Sequence, residues 1–395
     1  MFFVLLSVVV IPLLALFVDL AAQLRVGKDR PHSRPAAAVE SPAPDFTIMV
    51  PIYGDVKYLE NIDYLDQYGN QVLLATSSTQ SAEFYAALHD IADRHGFRVF
   101  SDTALPSAAE LQQPGKRAVG GTLRDLIVRD AHQVIDTDYV VCIDADTRTV
   151  LPLDLLVREF IAKDLDLASI RLEASNNDTV LARLQAHEYA MAMRLRLIMP
   201  WMISGACHIA RSDVHRTLMN RHSLFFQGND VELGLMAVEL GYRVGHIPFR
   251  VPTTVPSHFT GWWRQRRAWA GGEFRLMAVN LRLSAKHPFL YLYGLVIIFG
   301  MLPLRWYYLT HPGWSPAMMI AAYYAVITVV NWRTRDRCLL IYPLYALLYS
   351  LVLVPLGIYS YARMAIRYRN AGIIRPQGRP STDPHLHKLA AGRSV

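Results

Sequence analysis

The chain has 395 residues, of which 52% are hydrophobic, and a formal net charge of +7. That length holds one large domain or two modest ones, and the apolar fraction exceeds that of an ordinary soluble domain. The basic excess lies beside apolar segments, which points to a membrane surface or a phosphate-bearing substrate and away from nucleic acid.

Residues 1–18 carry no charge, and Arg25, Lys28, Arg30 and Arg34 follow Asp19. No basic residue precedes the apolar run, so 1–20 reads as a transmembrane helix rather than a cleaved signal peptide. The positive-inside rule then places the following chain in the cytoplasm. Residues 21–45, rich in Pro, Ala and charge, read as a linker. From Phe46 the pattern alternates between short β-rich runs and helical periods. Strands are expected at 46–50, 72–75, 98–100 and 139–143, with helices at 82–95 and 117–130. This order predicts an α/β domain with a mostly parallel sheet. Ligands bind off the carboxyl ends of strands in such sheets, where the chain places P-I-Y-G-D (51–55), T-S-S-T (76–79) and D-A-D-T (144–147). Cys142, Cys207 and Cys338 each sit in an apolar run with no C-x-x-C pair, so a reducing compartment fits.

The run 139–143 ends abruptly in Asp144 and Asp146. Carboxylates at i and i+2 fall on one side of a strand, and a hard divalent cation relieves their repulsion. A polar turn that simply ends the strand is the alternative. Lys116 and Arg117 precede a helix N-terminus, a place that suits a phosphate or a solvated loop. No G-x-x-x-x-G-K-[ST] is present and no G-x-G-x-x-G follows the first strand. A P-loop NTPase is thereby excluded, and a dinucleotide oxidoreductase is disfavoured. Ser204-Gly205 reads as a tight turn or a point of close backbone approach. Gln227 to Gly234 opens a helix expected to end at Leu240, with Leu233, Met236, Ala237 and Leu240 on its core face. Asn229 and Glu232 have capping-box spacing. That leaves Asp230 at the first helical position, as an anion stabilised by the helix dipole or as a general base facing a cleft.

In W-W-R-Q-R-R-A-W (262–269), Trp262, Gln265, Arg266 and Trp269 share a helix face. That face suits a membrane interface, or a site that stacks a ring and clamps a diphosphate. Residues 258–285 are therefore expected to form an interfacial amphipathic helix. Apolar stretches at 288–304, 316–332 and 338–362 make 286–362 a set of C-terminal transmembrane helices. With three spans the basic tail, 363–395, would lie outside, unless Pro343 and Pro355 make the last stretch re-entrant.

D-A-D-T, Ser204-Gly205, G-N-D (228–230) and Q-R-R-A-W (265–269), in this order and spacing, resemble the membrane-integrated inverting family 2 glycosyltransferases: hyaluronan, cellulose and chitin synthases. The resemblance implies a glycosyltransferase-A-like (Rossmann-like) catalytic domain over 46–257 with flanking transmembrane helices, in the plasma membrane with the catalytic domain cytoplasmic. It implies transfer from a nucleotide-diphosphate sugar, a UDP-sugar first, with Mg2+ or Mn2+ held by Asp144 and Asp146 and with Asp230 as the base. Tyr53, Asp55, Thr76, Lys116, Arg117, Asp144, Gln265, Arg266, Arg267 and Trp269 would bind the nucleotide sugar. Ser204, Gly205, Asp230 and Trp269 would bind the acceptor, either a growing β-linked polysaccharide exported through the membrane or a lipid such as a polyprenyl phosphate. Two positions depart from the pattern. Thr76-Ser77 stands where relatives carry Asp residues that hold the uracil, and Ala268 stands where an Arg precedes the final Trp. Arg266 or Arg267 would then be the clamp.

Overall fold

The computed structural model describes residues 44–103, 123–222, 228–279 and, with short interruptions, 306–367. The expected segment at 1–20, all but the last two residues of the 21–45 linker, the Lys116-Arg117 pair, the stretch 288–304 and the tail beyond 367 lie outside the described residues. Two compact units emerge. An α/β unit holds His32–Leu172 and Trp201–Thr253, and a helical unit holds Glu173–Pro200 and Thr254–Arg363.

In chain order the α/β unit contains β1 (Phe46–Pro51), β2 (Val72–Ser77), α1 (Ala82–His95), β3 (Arg98–Thr103), α2 (Leu123–Ala131), β4 (Tyr139–Ile143), α3 (Leu153–Ala162) and β5 (Leu167–Ala174). After the helix α4 (Val180–Arg196) come β6 (Cys207–Arg211), α5 (Ser212–Arg221), α6 (Asn229–Glu239) and β7 (Val244–Thr253). The seven strands form one sheet in the order β3-β2-β1-β4-β6-β5-β7. β1 pairs in parallel with β2 and β4, and β2 with β3. β6 runs antiparallel to β4 and to β5, so the sheet is mixed. β1 and β2 are buried along their whole length, which is why they read as unbroken apolar runs rather than as alternating patterns. Helix α1 has the expected bounds because both ends are signalled. Ser81 accepts from the Phe84 N–H at its start, and Gly96 closes it with a φ of +69°. The core on one side of the sheet joins Met49, Leu73 and Val140 to Leu126 and Ile127 of α2, Val214 and Leu218 of α5, and Leu233 and Ala237 of α6. Leu240, expected on that core face, lies past the helix end and is 37% exposed.

The helical unit contains α4, α7 (Phe259–Val279), α8 (Ser315–Val330), α9 (Tyr342–Leu348), a π-helical turn (Tyr349–Leu353) and α10 (Val354–Arg367). Leu184, Trp262, Ile327, Tyr342, Tyr345 and Leu353 are among the residues of its core. Among the described residues one helical run, Tyr342–Ile366, is long and apolar enough to cross a membrane. Pro343 occupies its first turn and Pro355 follows the π turn. Neither breaks the helix. Helix α8 has 16 residues, a length of about 24 Å against the ~30 Å of a bilayer core.

Candidate active site

The site grows from the end of β4. The strand stops at Ile143 and the chain turns at once. The Asp144 N–H donates to Ala206 C=O (2.9 Å) and the Thr147 N–H to Asp144 C=O (3.0 Å). Asn61, buried in the segment after β1, holds this turn: its Nδ2 donates to the carbonyls of Asp144 (3.1 Å) and Thr147 (2.6 Å). The Glu60 N–H donates to Ala145 C=O (2.9 Å). The chain following β1 is thereby tied to D-A-D-T. The two aspartates thus stand on a turn, not on a continued strand. Asp146 accepts from the Thr147 hydroxyl (3.2 Å). Desolvation, with the Asp144 charge added, pushes its carboxyl above the usual range. Two carboxylates one residue apart are a hard oxygen donor set that fits Mg2+ or Mn2+.

Arg124, in the first turn of α2, is the residue that sequence reasoning missed. Its Nε donates to Asp144 Oδ1 (2.7 Å), its Nη1 to Asp125 Oδ1 (3.4 Å), and its Nη2 to Gly205 C=O. Burial opposes the charge, but Asp144 and Asp125 outweigh it and hold the guanidinium above its ordinary range. The Gly205 N–H in turn donates to Asp230 Oδ2 (2.9 Å). Asp144, Arg124, the Ser204-Gly205 turn and Asp230 therefore form one connected set. The available signal was a basic residue inside the helix expected over 117–130, close behind the Lys116-Arg117 pair that drew the phosphate reading.

Helix α6 departs from its expected start. Gly228, with φ +91°, is the N-cap, so Asn229 is the first helical residue and Asp230 the second. The Asn229 amide donates to Asp125 Oδ2 (2.6 Å) instead of capping. Glu232 is buried with its Oε2 3.6 Å from His222 Nε2. The capping-box spacing is thus coincidental, and both polar side chains serve tertiary contacts. Gly234 packs α6 onto the 201–205 segment: a Cβ there would stand 1.9 Å from Trp201 O. That close approach sets Asp230 against Gly205.

At the β2 edge, Thr76 and Ser77 are inside the strand and fully buried. Thr76 was expected to face the nucleotide. The strand runs two residues further than its apolar run, and that extension takes Thr76 inside. Gln80 is the half-buried polar link in this region, accepting from the Gly54 N–H (3.0 Å) and donating to Ser77 Oγ (2.5 Å). Asp55 caps the turn at Val56–Tyr58 through the Lys57 N–H and pairs with Lys57 Nζ (2.8 Å). That contact, led by the hydrogen bond, holds its carboxyl below the usual range. Tyr53 is 47% exposed.

In the helical unit, Gln265, Arg266, Arg267 and Trp269 all lie on α7. Arg266 is fully buried. It donates to Glu188 Oε2 from Nε (3.2 Å) and Nη2 (2.9 Å), to Gln265 Oε1 (2.8 Å) and to Gln185 Oε1 (3.3 Å), and stacks 4.1 Å over the Trp269 ring. Its charge is committed to Glu188, which removes it from the expected diphosphate clamp. Trp262 is also fully buried, and its Nε1 donates to Tyr345 OH (2.9 Å). It is a core residue rather than a headgroup anchor. Arg267 is exposed.

The model of glycosyl transferase family group 2 matches residues 139–359, more than half of the chain. The chain belongs to this family. A protein from Neorhizobium galegae named N-acetylglucosaminyltransferase is 26% identical over 246 residues, 55% of this chain and 57% of that protein. The chain thus matches little more than half the length of that relative. Among solved structures, a mannosyltransferase from Pyrobaculum calidifontis in complex with GDP-Man and Mn2+ is 14% identical, with a TM-score of 0.48 over 93% of this chain and 98% of that one. Residues 1–349 of TarS from S. aureus give 15% identity and a TM-score of 0.38 over 84% and 93%.

Proposed function

We propose that this family 2 glycosyltransferase transfers a sugar, with inversion, from a nucleotide-diphosphate sugar to a glycan acceptor at a membrane, and so extends a β-linked polysaccharide. The observation that carries this reading is the connected set Asp144–Arg124–Gly205–Asp230 at the carboxyl end of β4. Asp230 takes the proton from the acceptor hydroxyl. The acceptor oxygen then bonds to the anomeric carbon, and the carbon–phosphate-oxygen bond breaks with its electron pair leaving on the diphosphate. Asp144 and Asp146 would hold Mg2+ or Mn2+, which supplies positive charge to the leaving diphosphate. Arg124, paired to Asp144, adds a fixed cation beside it. The Gly205 N–H orients the Asp230 carboxylate. Tyr53 and Gln80 border the region proposed for the nucleotide, and Lys116, Arg117, Gln265, Arg267 and Trp269 remain proposed contacts to donor or acceptor.

The relative's printed name makes UDP-N-acetylglucosamine the first donor to try. The experiment uses the full chain in detergent with Mn2+ or Mg2+, a panel of UDP- and GDP-sugars, nucleoside diphosphate release and product sizing. Release with one donor and a long product is expected, and release should be abolished by chelation. Full release from Asp230→Asn would overturn the base assignment. A second reading is transfer of one sugar to a lipid acceptor. A product that stops after one addition would select it.

A further inference from the structure

Inside the α/β unit, three histidines lie in line, and none has a place in the reaction above. His132, His208 and His215 are 3%, 3% and 0% exposed. His132 Nε2 lies 2.6 Å from His215 Nδ1, and His215 Nε2 lies 3.1 Å from His208 Nε2. His208 Nδ1 lies 3.1 Å from the Ser204 carbonyl oxygen. Cys142 Sγ stands 4.0 Å from His215 Nε2. Cys142, His208 and His215 thus present ligand atoms within 4.8 Å of one another, a spacing that a zinc ion could accept.

Proton accounting separates a metal site from a hydrogen-bond chain. A carbonyl only accepts, so His208 carries its proton on Nδ1 and its Nε2 is a bare lone pair. Burial holds the rings neutral, pushing His208 down to about 3, His132 to about 4 and His215 well below its ordinary value. Each neutral ring has one proton to place. Two bare nitrogens 3.1 Å apart repel, so His215 donates from Nε2 to His208. Its Nδ1 is then bare and accepts from His132 Nε2. One assignment satisfies all three contacts, and it runs in one direction: His132 to His215 to His208 to Ser204. A proton then occupies the place where a metal would need two bare nitrogens. Only His132 Nδ1, an acceptor in this assignment, is left without a partner.

We propose that this chain of neutral imidazoles is a positioning device. Through the Ser204 carbonyl, His208 fixes the Ser204-Gly205 turn, whose Gly205 N–H holds the Asp230 carboxylate. His208 is thus a positioning residue for the base, and this part of the inference rests on the proposed role of Asp230.

The first experiment needs no turnover. Ring-nitrogen NMR of the full chain labelled with 15N-histidine, assigned with His132→Gln and His208→Asn, should show Nδ1–H on His208 and Nε2–H on His132 and His215. Metal analysis of the same sample should find no stoichiometric zinc or copper. An Nδ1–H tautomer on His215, or one bound metal per chain, would overturn the chain in favour of a Cys142-His208-His215 metal site. The second experiment compares His208→Leu with His208→Asn, whose amide can replace the Nδ1–H donor to Ser204. The Leu variant should lose about tenfold in kcat, as expected for a base held slightly out of place, with KM for the donor unchanged. The Asn variant should recover most of that loss. Equal kcat in both variants, with both folded, would overturn the positioning role. If the parent turns over no donor, the proposed reaction fails while the tautomer result still stands.

Discussion

Arg124 and Arg266 are both arginines held by carboxylates, yet they belong to opposite kinds of region. Around Arg124 the side chains remain partly open: Arg124 is 21% exposed and Asp144 32%. The links there are single hydrogen bonds that join four short segments. Around Arg266 the charge is closed in. The guanidinium is fully buried, donates from two nitrogens to Oε2 of Glu188, whose side chain is 27% exposed, and stands 4.1 Å from the Trp269 ring centroid. The difference lies in the arginines: a guanidinium with no exposed surface, its nitrogens taken by Glu188, Gln265 and Gln185, joins helices rather than facing a ligand. A charged residue in a motif-like position is therefore read by asking whether the protein already supplies its countercharge in full.

The largest expected effect tests the open region. Asp230→Asn should lower kcat about 10²–10⁴-fold, the range for removing a general base, with the melting temperature nearly unchanged. Next, Arg266→Ala should destabilise the folded chain by about 2–4 kcal/mol, through the cavity left by a fully buried side chain and the loss of the cation facing the half-buried Glu188, measured by denaturant unfolding. Arg266→Lys should restore little, because a lysine can neither fork to Glu188 nor stack as a plane. Should Arg266→Ala instead fold normally and lose only donor binding, the contrast between the regions breaks. Arg124→Lys sharpens it from the other side: kcat should fall about tenfold through loss of the bond to Gly205, while stability moves by less than about 1 kcal/mol.

Gly234→Ala should cost about 1–3 kcal/mol by overpacking, and it should lower kcat more than its stability loss explains, because α6 must move from Trp201. The smallest effect concerns pH. His132, His208 and His215 have folded pKa values below their unfolded ones. The unfolded chain therefore binds more protons as pH falls below about 6.5. Stability is fully present above that pH and declines toward pH 4, where Arg216 faces His132 and Arg124 lies within reach of His208 and His215. Unfolding midpoints for His132→Gln should slope less steeply with pH than those of the parent.

The sheet was legible where burial on both faces imposes continuous apolar runs, as in β1, β2 and β4, and where caps mark a helix, as in α1. The mixed direction of the sheet was not, since nothing in C-H-I-A-R (207–211) distinguishes a strand that runs antiparallel. Within the site, Asp144, Gly205 and Asp230 were legible because each ends or begins an element. Arg124 and Asn61 act across 20 and 83 residues to reach Asp144, and no local pattern encodes such reach. Thr76 was misread because the apolar run stops before the strand does. Asn229 and Glu232 matched a local template, but Gly228 satisfies the helix start and Asp125 claims the amide. Arg266 shares a face with Gln265 and Trp269 as expected, and the acid that neutralises it comes from α4, 78 residues away.

The π turn before Pro355 has a geometric consequence. From Tyr345 through Tyr349, Leu353 and Gly357 to Tyr361, the inward residues recur every four positions. On a regular α-helix, such a row drifts sideways by about 40° per step. Pro355 has no N–H to offer the carbonyl of Leu351, and the wider turn at Tyr349–Leu353 winds the row back. Gly357 thereby arrives at the α7 backbone, where an added Cβ would stand 2.6 Å from the Gly271 nitrogen. The π turn with its proline acts as a phase corrector: shortening the 349–353 segment by one residue would rotate everything after it by about 100° and turn Gly357 away from the α7 backbone, where a larger residue would not fit.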